Sequence, residues 1–283
     1  MFTGGGLGVL EPETSTSKTA SVILTPRFSF LPDTRVSLAV DYFDIKVEGE
    51  ISQLGAGNVV AGCYLSDFFP NDPLCSLFSR IPAGSLGQFS IAEVRDSYIN
   101  VNSQRNRGID VTANLTHNLG RFGKLSLTGS MTWQLEDKIA LFEGTEVSTN
   151  GEDGEPKYVG DFNLVWTLND DWSFFYGLDV IGATSDRRDY EAANNDSLCT
   201  QNSPFYGNFC VDVSAPARFY HALSVTKTLK NFDFTIGVNN LLNTKPPRVT
   251  TVSGEIGTIG NSVFSSQYDY IGRRVFVHAK ARF

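Results

Sequence analysis

The strongest constraint on the fold is a period-two alternation of apolar and polar side chains, repeated in nine stretches of the chain. Between Ala20 and Phe30, for example, the even-numbered positions are apolar and most odd-numbered ones polar. Successive side chains of a β-strand point to opposite faces, so each stretch predicts a strand with one apolar and one polar face. The nine stretches are residues 20–30, 34–50, 104–116, 124–142, 157–167, 171–184, 217–228, 231–241 and 266–283.

The connections between these stretches alternate in length. Short ones are residues 31–33, 117–123, 168–171 and 228–231, and long ones are residues 51–100, 143–156, 185–216 and 243–265. Short turns at one edge and long loops at the other describe an up-and-down antiparallel sheet, as in outer-membrane barrels. We therefore predict an all-β chain: an antiparallel transmembrane β-barrel portion of about nine strands, with short periplasmic turns and long extracellular loops.

Aromatic residues often lie at the ends of the apolar stripes, as Tyr42, Trp133 and Trp166 do. Bilayer interfaces favour such rings, so these residues would form the aromatic girdles of a barrel. The alternative is that they fill the core of a sandwich. The final predicted strand favours the barrel. Counted towards the N-terminus from Phe283, its apolar residues alternate with residues that are mostly charged. This pattern is expected where one face of a strand contacts lipid and the other faces a water-filled lumen.

Charge and composition exclude several classes of protein. The formal charge is 23 − 31 = −8, which argues against nucleic acid as a partner because such binding depends on clustered Lys and Arg. No apolar run approaches the roughly 20 residues of a membrane-spanning helix. Residues 1–6 lack the pattern of a secretory signal, so an exported protein of this sequence would have its signal upstream.

The four cysteines form two close pairs, Cys63 with Cys75 and Cys199 with Cys210, each within a polar loop. Two local disulfides in an oxidising compartment are the natural interpretation, and the predicted topology places both loops outside the cell. Zinc is the competing interpretation, but neither pair has CxxC spacing and the histidines lie far away in sequence.

Four segments carry a resemblance to a known family. They are Leu10 to Ser17, of the form L-x-P-E-x-S-x-S; Asn106 to Asp110; Gly237 to Asn243 followed by Pro246 and Pro247; and Tyr270 through Phe283. Together they resemble the C-terminal β-barrel portion of a TonB-dependent outer-membrane receptor, although Ala20 stands where a glycine is usual in the family.

The resemblance implies active import of a scarce nutrient (a siderophore, vitamin or oligosaccharide) across the outer membrane of a Gram-negative bacterium, with energy from the TonB system. Such receptors have about 22 strands around a plug, so residues 1–283 would be the C-terminal part of the barrel without the plug domain. The implied partners are outer-membrane lipid, the missing N-terminal strands and plug of the same receptor, the TonB complex reached through the plug, and the small nutrient ligand. No cofactor is implied.

Aromatic and charged residues on the two cysteine-containing loops are candidate ligand contacts, since loops over a rigid scaffold commonly bind ligands. The alternative is that they only pack the loops together. Sugars would favour the aromatic rings and an anionic iron chelate the arginines, so the ligand stays open. The candidates are Tyr64, Asp67, Phe68, Phe69, Arg187, Arg188, Tyr190, Phe205 and Tyr206.

The acidic run at residues 143–156 would suit calcium, but it lacks the D-x-D-x-D-G spacing, so a solvated loop is the simpler interpretation. The common catalytic motifs are absent from the sequence, which argues against an enzyme. The rival functions are a passive porin-type channel and a secreted carbohydrate-binding β-sandwich.

Overall fold

The structure is a computed structural model that describes residues 10–66, 68–100, 103–140, 146–152, 154–193, 197–203, 207–250, 258–259, 262–263 and 267–281. Nine long strands dominate it, and each overlaps one of the nine predicted stretches. Their bounds are β1 (Thr14–Leu24), β2 (Thr34–Glu48), β3 (Ser103–Asn118), β4 (Lys124–Ala140), β5 (Tyr158–Thr167), β6 (Trp172–Ile181), β7 (Arg218–Leu229), β8 (Phe232–Asn239) and β9 (Arg274–Ala281).

The remaining elements are short and lie mostly in the long connections. The helices are α1 (Ala56–Leu65) and α2 (Arg187–Ala193), with 3-10 turns at Pro73–Leu77 and Gly120–Phe122. The short strands are Ile51–Ser52, Phe78–Arg80, Ile91–Val94, Ile99–Asn100, Glu146–Ser148, Thr184–Ser185, Cys199–Ser203, Gly207–Cys210, Ser214–Ala215, Thr258–Ile259 and Ser262–Val263. Among the described residues, no helix is both long and apolar enough to cross a bilayer.

Two strand boundaries differ from the predicted ones. The first strand covers Thr14–Leu24 and not residues 20–30, because Pro26 has no N–H to donate to a ladder and fixes its own φ. The last strand begins at Arg274 and not at residue 266. Before it, Gly272 adopts a φ of 88°, a conformation that ends regular extended structure and that glycine adopts without steric cost.

The nine strands neighbour one another in chain order, so the sheet is a meander with β1 and β9 at its two edges. The pairs from β4 to β9 are antiparallel, and the register places like side chains opposite each other: Trp166 faces Phe174, and Asp161 faces Asp179. One face of the sheet therefore carries the apolar set and the other the polar set. We call them the apolar face and the polar face.

Two compact units are present. The first comprises residues 1–18, 44–106 and 137–148, and its core contains Leu54, Val59, Cys63, Leu74 and Val94. The second comprises residues 19–43, 107–136 and 149–283, and its core lies beneath the long loops of β6 to β9. That second core consists of Ile181, Tyr190, Val211, Val213, Ala215, Tyr220, Val249, Val263 and Tyr268.

The apolar face contributes little to either core. Ile236 on β8 is 57% exposed, and Val277, its neighbour on β9, is 73% exposed. In a sandwich these side chains would be buried against a second sheet. The structure thus presents a broad apolar surface on the sheet while its buried apolar contacts lie at the loop ends.

Candidate ligand-binding loops and luminal cleft

The long loop between β2 and β3 folds around its own small core. The Cys63–Cys75 disulfide joins α1 to the 3-10 turn at Pro73–Leu77, with sulfurs 2.14 Å apart. Cys63 is only 1% exposed and packs with Val59 and Leu74. The predicted disulfide is therefore confirmed, and it fixes α1, which carries Tyr64, against the 3-10 turn that follows Phe68 and Phe69 in the chain.

Tyr64 lies at the centre of an aromatic cluster beside this disulfide. Its ring centroid is 5.1 Å from that of Phe69 and 6.0 Å from that of Phe78. Arg80 donates from Nη2 to the Tyr64 hydroxyl oxygen at 2.6 Å, and its guanidinium carbon lies 5.6 Å from the ring centroid. Since Tyr64 is 44% exposed and Phe68 75%, the cluster offers an aromatic surface with a fixed cation beside it.

Of the two aspartates that lie between Cys63 and Cys75, the structure describes Asp72, while Asp67 lies outside the described residues. Asp72 accepts a hydrogen bond from the Ser66 hydroxyl at 2.6 Å and another from the Leu74 N–H at 2.8 Å. These bonds lower the pKa of Asp72, because both stabilise the carboxylate. Asp72 therefore caps the 3-10 turn, which is a structural role.

The loop between β6 and β7 contains the second disulfide, Cys199–Cys210, with sulfurs 1.97 Å apart. This predicted bond is also confirmed, so within each pair the two cysteines are joined by a disulfide and do not bind zinc. Tyr190, on α2, is only 8% exposed and belongs to the core of the second unit. Its burial favours the packing role that was the alternative to ligand contact.

Both predicted arginine contacts hold acidic partners. Arg187 Nε lies 2.9 Å from the carboxylate of Glu191, and Arg188 Nη2 lies 2.8 Å from that of Glu152. Each side chain is more than half exposed, so each remains reachable from solvent. Two other predicted contacts lie outside the described residues, namely Phe205 and Tyr206.

The acidic run between β4 and β5 is only partly described, since Glu143 and Asp153 lie outside the described residues. Glu146 lies 3.6 Å from Lys138, so this acid and Glu152 both have basic neighbours. In the part of the chain that the structure describes, no three metal-ligating side chains converge.

A cluster that the sequence alone did not bring together lies where β8 ends and β9 begins, although four of its residues belong to two of the segments that carry the family resemblance. Asp269 accepts from the amide of Asn240 at 3.1 Å, from the N–H groups of Ile271 and Gly272 at 3.0 and 3.1 Å, and from both terminal nitrogens of Arg274. Burial raises the pKa of Asp269, but these donors and the Arg274 charge outweigh it, so the pKa lies below its ordinary value. Asp269 thus holds the start of the last strand.

Beside this cluster, the polar face forms a cleft of about 510 Å³ at the long-loop ends of β6 to β9. Asp179 and Tyr220, which face each other across β6 and β7, form one wall, and Asn239 and Arg274, opposite each other across β8 and β9, form another. Asn239 and Arg274 belong to segments that carry the family resemblance, but nothing in the sequence marked Asp179 and Tyr220 beyond their positions in the alternation. The cleft depends on four strands whose register only the fold provides.

The apolar face carries stacked rings at its short-turn rim. The Trp166 and Trp172 rings lie 5.1 and 6.4 Å from that of Phe174, centroid to centroid. Trp166 donates from Nε1 to the Phe122 carbonyl oxygen at 2.8 Å, and Lys227 Nζ lies 4.7 Å from the Trp172 centroid. Rings with one wet and one apolar end suit a bilayer interface.

Comparison with known proteins supplies the family. Residues 2–241 match a family model described as TonB-dependent receptor-like, β-barrel. A search of curated proteins finds no match.

Three solved structures share the fold. A mutant of the ferric enterobactin receptor PfeA from Pseudomonas aeruginosa is 17% identical, with a TM-score of 0.55 over 97% of this chain and 32% of that one. The siderophore receptor PirA from Acinetobacter baumannii is 14% identical, with a TM-score of 0.56 over 98% and 33%. The ferric-catecholate import receptor Fiu from E. coli K12 is 13% identical, with a TM-score of 0.50 over 99% and 30%.

The chain spans about a third of the length of these receptors. At such low identity, the likeness to the solved structures establishes the fold, while the family match covers most of the chain. The alternating meander, the exposed apolar face and this match agree with one another, and the chain belongs to the TonB-dependent receptor-like β-barrel family.

Proposed function

We propose that this chain is part of an outer-membrane receptor of a Gram-negative bacterium, which binds a scarce nutrient and imports it with energy from the TonB system. The observation that carries the proposal is the exposed apolar face of a nine-stranded meander. Such a face is stable in hydrocarbon and costly in water, since burying apolar area contributes about 25 cal/mol per Å². The family match supports the receptor assignment.

The dimensions of the apolar face suit a membrane. On β4, Trp133 marks the long-loop rim, while Leu125 lies opposite Trp166 at the short-turn rim. The eight steps between them span about 27 Å along the strand. With a strand tilt of about 40°, that is about 21 Å across the bilayer, close to the apolar band of about 25 Å in outer-membrane barrels.

The sheet needs further strands to pair with its two open edges, β1 and β9. Both β1 and β9 are exposed along nearly their whole length. Nine alternating strands leave these two edges running in the same direction, so closing the sheet on itself, or with a second copy in the same orientation, would require parallel seams. An odd number of added strands gives antiparallel pairing throughout. We assign these strands, and a plug against the polar face, to the rest of the same receptor, with residues 1–283 as its C-terminal part and the TonB complex reached through the plug.

The ligand-binding residues are proposed on the exposed loops. Tyr64, Phe68 and Phe69 offer exposed rings, and Arg187 and Arg188 offer exposed cations. A siderophore is the favoured nutrient, because the three structural neighbours are described as receptors for ferric enterobactin, siderophores or ferric catecholates. A vitamin or an oligosaccharide remains the alternative to be tested.

The experiment is an uptake assay of the receptor that contains this chain, in cells lacking other siderophore receptors. We expect iron-limited growth on at least one ferric siderophore when the TonB system is intact, and none when it is deleted. Replacing Tyr64 and Phe68 by Ala should lower uptake, with Phe122→Ala, at the opposite short-turn rim, as the matched control. Uptake that persists without TonB would instead support a passive channel.

A further inference from the structure

The loop between β2 and β3 holds a guanidinium beside exposed aromatic rings. Arg80 ends the short strand Phe78–Arg80, which pairs with Ile91–Val94 to form a hairpin. The guanidinium carbon lies 5.6 Å from the ring centroid of Tyr64 and 5.9 Å from that of Phe78. The ligand contacts proposed above include Tyr64 but not this arginine.

Every hydrogen bond that Arg80 makes within the described part of the chain goes to a neutral oxygen. Nε and Nη2 donate to the Tyr64 hydroxyl at 3.1 and 2.6 Å, and Nη1 donates to the carbonyl oxygen of Phe89. A guanidinium has five N–H groups, so these three bonds leave one N–H on each terminal nitrogen. A carboxylate can accept from such a pair of donors with both of its oxygens.

The charge of Arg80 has no compensating carboxylate among the described residues of this loop. Glu93, on the paired strand, lies 3.3 Å from Arg95. Asp72 caps the 3-10 turn, and Asp96 is buried with a bond from the N–H at the start of α1. Hydrogen bonds to an ionised acceptor are about twice as strong as those to a neutral one, so the free donors of Arg80 favour an anion.

The rings beside Arg80 add a second preference. Phe89, Phe69 and Tyr64 are all exposed, and the Phe69 and Tyr64 centroids lie 5.1 Å apart. Exposed apolar groups that gather in one place often mark a binding surface. Aromatic rings also attract other rings in offset-stacked and edge-to-face arrangements. This surface therefore favours a flat aromatic ligand over an aliphatic one.

The groups of the site are fixed without a ligand. The disulfide joins α1, which carries Tyr64, to the 3-10 turn. At the hairpin, the Phe89 N–H donates to the Ile81 carbonyl oxygen at 2.9 Å. Phe89 has a φ of 68°, a left-handed conformation that a bulky residue adopts only where its surroundings enforce it. Groups that are already ordered lose less entropy on binding.

We propose that Arg80 and the rings beside it bind an aromatic carboxylate, whose oxygens accept from the two terminal nitrogens of Arg80 while its ring lies on the exposed rings. All of these residues belong to the first compact unit, so the site depends on this loop alone. The proposal gives the chemical class of ligand for the loop contacts assigned above. It rests on the proposed function only where that ligand is the imported nutrient.

The test is calorimetric titration of the receptor containing this chain, purified in nonionic detergent micelles, with protein-free micelles as the blank. The probes are 2-naphthoate and 2-naphthamide, which have nearly the same shape and differ in charge. We expect 2-naphthoate to bind at least about tenfold more tightly, because only the carboxylate forms charge-assisted bonds with Arg80. Acetate, which lacks the rings, should bind at least about tenfold more weakly than 2-naphthoate.

Variants assign the binding to Arg80. Arg80→Gln should weaken 2-naphthoate binding about tenfold and leave 2-naphthamide binding nearly unchanged. Arg80→Lys should recover part of the loss, since lysine keeps the charge without the planar fork. Arg95→Gln is the matched control: Arg95 directly follows the same hairpin and is exposed, but it is paired with Glu93. This control should bind both probes as the parent does.

Equal affinity for the two naphthalene probes, or no binding of 2-naphthoate at millimolar concentration, would overturn the proposal. So would equal losses in Arg80→Gln and Arg95→Gln, or acetate that binds as tightly as 2-naphthoate. The comparison of probes on the parent receptor needs no variant, so it decides the matter even if Arg80→Gln unfolds the loop. A receptor that prefers 2-naphthoate but imports no nutrient would refute the importer assignment alone, whereas one that imports without distinguishing the probes would refute this site alone.

Discussion

Ile236 offers the sharpest test of where the apolar face lies. It is the fifth residue of β8, so it lies about 14 Å along the strand from the short-turn end. At a tilt of about 40° that is about 10 Å of height, near the middle of an apolar band of about 25 Å. Ile236→Arg should therefore destabilise the chain in bilayers by about 2 to 4 kcal/mol.

In water the same substitution would be nearly neutral. Ile236 is 57% exposed, and exposed substitutions generally change the free energy of unfolding by at most about 0.5 kcal/mol. Leu127→Arg, nearer the short-turn rim, should cost less than Ile236→Arg because the penalty falls towards the interface. Thr128→Arg, on the polar face, is the control and should be nearly neutral.

The assay is equilibrium unfolding in guanidinium chloride, of the receptor containing this chain, reconstituted in phospholipid vesicles. The expected order of stability is Thr128→Arg above Leu127→Arg above Ile236→Arg. Equal stability of the three variants would refute the reasoning, because the apolar face would then lie in a medium that tolerates charge.

Other features lead to separate predictions. Replacing Cys63 and Cys75 by Ser should destabilise their loop by about 3 kcal/mol, given the 12-residue separation; protease cleavage within residues 51–100 should then accelerate, and unchanged cleavage would contradict this. Gly123→Ala should cost at least about 1 to 3 kcal/mol, because its φ of 88° is nearly glycine-only and an added Cβ would lie 2.0 Å from a backbone oxygen. Gly120→Ala, with φ 60° and open space around it, should cost only about 1 to 2 kcal/mol in the same unfolding assay. Asp269 has a folded-state pKa below its ordinary 3.8, so its stabilisation is fully present above that pH and is lost as the pH falls through the folded value. The protection of the amides of residues 267–272 against hydrogen exchange, relative to their intrinsic exchange rates at each pH, should fall there, and the Asp269→Asn variant should show no such acid step.

The long strands were predictable because a period-two pattern and turn chemistry are local signals. The alternation assigned Leu127 to one face and Thr128 to the other, and the register with β5 confirms it. Pro26 shows where the pattern misled: the apolar spacing continues to Phe30, but the missing N–H ends the strand at Leu24. The two-residue alternation of side chains does not by itself distinguish an extended segment from a strand that is paired in a sheet.

The candidate sites were only partly predictable, because loop contacts depend on tertiary packing. As aromatic residues of the cysteine-containing loops, Tyr64 and Tyr190 were equally strong candidates for ligand contacts. In the structure Tyr64 is 44% exposed, whereas Tyr190 is 8% exposed and lies within a core. The cleft at Asp179 and Tyr220 had no sequence signal, since it requires the register of β6 with β7 and a turn more than forty residues further along the chain. Only pairing distant strands brings such residues together.

The three tryptophans of the chain provide the most direct measurement of whether the apolar face contacts lipid. Trp133, Trp166 and Trp172 all lie on that face, one at the long-loop rim and two at the short-turn rim. In vesicles of lipids brominated along the acyl chains, the native fluorescence should be strongly quenched, most by bromines close to the headgroups. Fluorescence that is unchanged by bromine at any depth would contradict the account, because the apolar face would then be covered by protein or water.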